Sequence, residues 1–117
     1  MKLCISDVGY RIIKLNDDKV AVVGYKKAYL IDINKYEILN EINCDDCNFC
    51  ILKLSDKLFL TGDEKGTITQ HKTENKKLFK ESSKYKAHEN DILSMTLINN
   101  IIISGLKNSN DIKFWKI

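Results

Sequence analysis

Along the chain, apolar residues fall into short runs that end at polar or glycine-containing turns, and helical periodicity is scarce. The runs read "YRIIKL", "KVAVVG", "KAYLIDI", "YEILNEI", "FCILKL", "KLFLTG", "GTITQHK", "KKLFKESSKY", "ILSMTL", "NIIISG" and "DIKFWKI". They predict eleven strands and no helix, hence an all-β fold.

The strands also recur in order. "LSDKLFLTG", Leu54 to Gly62, matches "LINNIIISG", Leu97 to Gly105: an apolar strand end, a polar turn, and a second strand closing on Thr-Gly or Ser-Gly. "LNDDKVAVVG" fits the same frame with one extra turn residue and puts Gly24 in register. The expected unit is a meander of three to four antiparallel strands repeating about every 40 residues.

With that frame, "KAHENDILSMTLINNIIISGLKNSNDIKFWKI" resembles a WD40 repeat. Ala87-His88 stands where the family has Gly-His, Ile92 starts the inner strand, Ser104-Gly105 closes the next, and "IKFWKI" replaces the strand that ends in Trp-Asp. The resemblance covers residues 84–117, extends to 49–83 and reaches more loosely over 10–48. It implies WD40-like β-propeller blades, with repeats at about 10–48, 49–91 and 92–117 and an N-terminal strand at 2–8.

The resemblance maps the family's buried hydrogen-bond network onto His88, Ser104 and Trp115. Ser109 stands where the family's aspartate would be, and Asp111 lies two residues too late, so the third network is expected to be incomplete. In the second repeat His71, Lys65 and Asp45 replace the tryptophan, aspartate and histidine, which implies that none of the network remains there. In the glycine register Cys44-Asp45 aligns with Ala87-His88, and Cys50 with Leu93.

Family members mostly serve as scaffolds, so the implied function is a non-catalytic protein–protein interaction module within a multiprotein assembly. The expected rim loops carry Lys26 and Lys27, then Asp63, Glu64 and Lys65, then Glu89, Asn90 and Asp91, and finally Lys107 and Asn108. They mix both charge signs, which suits protein surfaces. Three blades do not close a propeller, and the third repeat stops after its third strand. A homodimer exchanging N-terminal strands into a six-bladed ring is one expectation; a piece of a longer propeller is the other.

Composition narrows the partners. The net charge of +3 comes from 19 basic and 16 acidic side chains interspersed over 117 residues, without the basic stripe that a phosphate backbone requires. No nucleic acid is therefore expected. No run approaches the roughly 18 apolar residues of a membrane span, and "MKLCISDVGY" reaches Ser6 and Asp7 before an apolar signal region develops. The Phe-Arg-Arg-Gly motif of some phosphoinositide-binding propellers is absent; Arg11 is the only arginine. No membrane partner is expected, and the location is expected to be intracellular, cytoplasmic or nuclear.

"NCDDCNFC" raises a second reading, a small metal-binding or redox-sensing β domain organised by Cys44, Cys47 and Cys50. A structural zinc needs four ligands, and only distant Cys4 or a histidine could complete the set. Strand alternation would also turn the sulfurs to different sides, so buried or loop thiols are expected, with no metal and no cofactor.

No catalytic group stands out, and no enzyme is expected. His71 lies in a strand pattern, "GDEKG" is turn chemistry, and no serine stands in a Gly-x-Ser-x-Gly frame.

Overall fold

The computed structural model describes residues 2–5, 7–9, 11–44, 46–86, 92–106, 110 and 112–116, with the side chains of 81–86, 93 and 106 outside that description. These residues form β1 (Arg11–Lys14), β2 (Lys19–Val23), β3 (Lys27–Asp32), β4 (Glu37–Asn43), β5 (Asn48–Ser55), β6 (Leu58–Asp63), β7 (Thr67–Glu74), β8 (Lys77–Lys86), β9 (Ile92–Ile98), β10 (Ile101–Leu106) and β11 (Ile112–Lys116). Each strand falls on one of the apolar runs, and the described residues contain no helix.

The strands pair as three antiparallel meanders, β1-β2-β3-β4, β5-β6-β7-β8 and β9-β10-β11. Turn chemistry explains why each chain reversal is local. Asn75 and Lys76 (φ 51° and 64°) join β7 to β8, and Asn99 and Asn100 (φ 49° and 66°) join β9 to β10. Two consecutive positive-φ residues make a turn whose twist matches that of the flanking strands. Between β3 and β4 the Asp32 carboxylate accepts hydrogen bonds from the amides of Asn34 (2.8 Å) and Lys35 (3.1 Å). The Lys35 amide is the main influence holding that carboxyl below the usual range, with further help from the Asn34 amide and the nearby lysines against some desolvation.

Face alternation then stacks the meanders. The first and second share a core of Leu15, Ala21, Val23, Ala28, Leu30, Phe59 and Leu78. The second and third share Cys50, Leu60, Ile68, Ile92 and Ile102, with Trp115 packed against them. The first strand of each meander lies beside that of the next, β1 with β5 and β5 with β9, while β4 lies against β8. Burying each large aliphatic side chain in these layers contributes about 1.5–3 kcal/mol, enough for packing between sheets to dominate their cohesion. The architecture is that of β-propeller-like blades, two of four strands and one of three among the described residues.

Two details of the glycine register are corrected. Ala21, Val23, Ala28 and Leu30 of blade one face blade two, as Leu60, Gly62 and Ile68 of blade two face blade three. Val23, not Gly24, therefore holds the position of Gly62. The extra turn residue expected before Gly24 is absent: Lys14 pairs with Val20 and Lys53 with Phe59, six residues on in each case. Cys50 pairs with Gly62 and Ser94 with Gly105, so Cys50 corresponds to Ser94 and not to Leu93. A bulge between Lys53 and Ser55 adds a residue that the β9-β10 hairpin lacks.

Candidate functional site

The β2-β3 and β6-β7 turns and the β4-β5 connection emerge at the same end of the blades, and backbone hydrogen bonds fuse them. Cys44 N donates to Lys26 O (2.6 Å), Asn48 N to Tyr25 O (3.2 Å) and Glu64 N to Cys47 O (2.9 Å). Glu64 returns a side-chain contact, accepting from Cys47 N at 3.3 Å, and Lys65 reaches Asp46 at 3.6 Å. The result is one continuous rim that presents Lys26, Lys27, Glu64 and Lys65.

Asp63 belongs to the scaffold of that rim. It is buried, and its Oδ1 accepts from the amides of Lys65 (3.0 Å) and Thr67 (2.9 Å), which shapes the turn that closes at Gly66 (φ 84°). Blade one has no such side chain, because Gly24 stands at the equivalent place. Asp7 arrives there from the N-terminal segment, and its Oδ2 accepts from Lys26 N (3.1 Å) and Lys27 N (3.0 Å). A side chain on Gly24 would collide with that carboxylate. Asp7 thus does for the first turn what Asp63 does for the second, a role that local sequence offered no way to see. Residues 7–9 are held on their own blade, where Val8 O also accepts from Tyr25 N (3.0 Å), and neither 2–5 nor 7–9 forms a strand in this chain.

Behind the rim lie two equivalent hydroxyl–ring pairs. Trp115 Nε1 donates to Ser104 Oγ at 2.9 Å across the β10-β11 pairing. Thr61 Oγ1 meets His71 Nε2 at the same 2.9 Å across β6-β7. In both, the hydroxyl lies two residues after the partner of the ring residue: Phe59 pairs with His71, and Ile102 with Trp115. The expectation that blade two keeps nothing of the network is therefore corrected. The Thr-Gly and Ser-Gly endings already marked Thr61 and Ser104 as equivalents, and that was the signal to follow. His71 is fully buried and stacks on Phe59 with centroids 4.7 Å apart and 14° between planes. His88 lies outside the described residues, as do Asp45, Glu89, Asn90, Asp91, Lys107, Asn108, Ser109 and Asp111.

Between blades one and two, a cavity of about 110 Å³ opens against this pair, lined by Cys44, Asn48, Thr61, Asp63, His71 and Lys80 among others. It is polar and could hold roughly three waters. Asn48 crosses the blade boundary, its Nδ2 donating to Gly24 O at 3.1 Å.

The structure does not bring the three cysteines together. Cys44 packs at the edge of the first core, Cys47 sits in the rim connection, and Cys50 is buried in the second core facing Gly62. Burial pushes the Cys50 thiol up to about 11, outweighing the Gly62 amide that favours its anion. Among the described residues no group of three or more metal-ligating side chains converges. No described helix is long and apolar enough to cross a membrane.

No protein-family model and no curated protein sequence matches this chain. Solved structures do. A chain in the crystal structure of a mitotic checkpoint complex superposes with a TM-score of 0.79 at 13% identity, over 92% of this chain and 35% of that one. The computationally designed Ika8 protein matches with a TM-score of 0.68 and Ika4 with 0.69, both at 18% identity over 87% of this chain, and over 31% and 62% of theirs. The chain thus spans about a third of the checkpoint-complex chain that it resembles. At these identities the likeness establishes a propeller-like all-β fold.

Proposed function

We propose that the chain is a non-catalytic WD40-type interaction module whose fused rim docks other proteins. The observation that carries this reading is the rim itself: three loops tied to one another by backbone bonds and projecting lysine and acidic side chains at close intervals. A rigid surface of mixed sign favours protein partners, because electrostatic complementarity there sets specificity and association rate. The checkpoint-complex neighbour is compatible with such a role, since its fold works within a multiprotein complex. Neither a nucleic acid nor a membrane is part of the proposal, and the location is intracellular.

The test is affinity capture with the wild-type chain beside a variant carrying Lys26→Glu, Glu64→Lys and Lys65→Glu. Proteins retained by the wild type and lost from a variant with an unchanged β-sheet spectrum support the rim. Identical captured sets, or none in either case, sink it.

A further inference from the structure

At the end of the blades opposite the rim, the β1-β2 turn of blade one and the β5-β6 and β7-β8 turns of blade two border a cleft of about 380 Å³. That volume lies within the range of small-ligand sites. Lys19, Lys57 and Lys76 line it, against a single carboxylate, Glu74. Glu74 is engaged by Lys72 at 3.6 Å, and Asp17 and Asp56 in the neighbouring turns are held by Lys14 and Lys53. Among the described residues none of the three cleft lysines makes an ion pair. Lys19 stands across the strands from Asp32 and helps to hold that carboxyl down, but Asp32 Oδ1 accepts from the Asn34 and Lys35 amides. The lining therefore carries a formal surplus of two positive charges.

Two further features set the cleft apart from a plain seam between sheets. Thr73 lines it at only 7% exposure, and among the described residues its hydroxyl has no hydrogen-bond partner. Buried hydroxyls are normally matched by a protein, water or ligand atom, because an unmatched one is costly. Lys76 holds the second position of a two-residue turn at φ 64°, where glycine is favoured. A side chain kept in that conformation against its preference points to a local function, and here it sets an ammonium-bearing residue on the cleft.

We propose that this cleft binds a small organic phosphate monoester. Such a group carries close to two negative charges at neutral pH, which matches the surplus that the lysines leave. Ammonium groups act as point charges that suit a phosphate, whereas a planar carboxylate is best held by a guanidinium fork, and no arginine lines the cleft. The Thr73 hydroxyl and the Asn75 carboxamide supply neutral donors for the phosphate oxygens, and Leu30 gives the organic body an apolar wall. The site is separate from the rim, so its failure leaves the docking reading untouched.

Titration of the isotope-labelled 117-residue chain with phenyl phosphate, followed by nuclear magnetic resonance, tests the assignment. Sodium chloride at about 0.15 M screens loose charge attraction. The expected result is saturable binding of one ligand per chain, with amide shifts centred on residues 16–19, 57 and 73–76. Lys57→Gln with Lys76→Gln changes two exposed side chains and should weaken binding about tenfold with the β-sheet spectrum retained. Thr73→Val keeps the shape of the side chain, removes the hydroxyl and should weaken binding about threefold. Lys26→Gln with Lys65→Gln, on the rim, should leave it unchanged. Acetate shifting the same amides as strongly, shifts that rise without saturating, a lysine variant that binds like the wild type, or a phosphoserine peptide that binds more tightly than phenyl phosphate would each overturn the assignment.

Discussion

At the residue scale, this chain does similar structural work with different side chains. Thr61 with His71 and Ser104 with Trp115 make the same 2.9 Å contact on different rings. Asp7 and Asp63 cap corresponding turns from distant points in the sequence. Replacing Asp7 with alanine should leave the Lys26 and Lys27 amides without that acceptor and lower stability by about 1–2 kcal/mol in urea unfolding. Adding Gly24→Asp in the same chain, where the vacated volume can hold the new side chain, should recover part of the loss. No recovery would show that Asp7 matters for some other reason. Cys50 gives a pH-dependent expectation. Its folded value, about 11, lies above the ordinary thiol value, so the native state holds the proton more tightly than the unfolded chain. The stabilisation is complete below about pH 9 and is lost as pH rises towards 11, amounting to at most about 3 kcal/mol. Urea midpoints from pH 7.5 to 10.5 should fall more steeply for the wild type than for Cys50→Ala. In native protein at pH 8, iodoacetamide should label exposed Cys4 well before Cys50.

At the element scale, the blades are held together by the faces of their strands, and the two closing glycines separate what is covered from what is open. Gly62→Ala places a Cβ 2.7 Å from Cys50 Sγ and 2.8 Å from Ile92 Cγ2. Overpacking of that kind costs about 1–3 kcal/mol, and a drop in the thermal midpoint measured by circular dichroism would register it. Gly105→Ala meets nothing within 4 Å among the described residues and should leave the isolated chain as stable or slightly more so. If the two substitutions were equally costly, blade three would not be open at Gly105. The eleven strands and their boundaries were legible because apolar runs and polar turns are local signals. The face that each strand turns to its neighbour was less so. A one-residue bulge after Lys53 moves a side chain to the other side of its sheet, and a first hairpin one residue shorter than its sequence suggested turns Val23 rather than Gly24 towards blade two.

At the scale of the whole molecule, the two ends of the stack differ: the far face of blade one is closed over Val22 and Tyr29, 4% and 0% exposed, while that of blade three exposes Ile112 and Phe114. The outer edge of β11 is also without a strand partner among the described residues.

The all-β class, the strand positions and the repeat were legible along the chain, because runs, turns and spacing are properties of neighbouring residues. Folding alone brings Asp63 inward, sets Asp7 on the turn at Gly24, gives His71 a threonine partner and parts the three cysteines. Each of those outcomes depends on which side of a sheet a residue occupies and on what a distant segment brings to it. Side of sheet changes with a single inserted residue, and distant approach leaves no mark on local pattern.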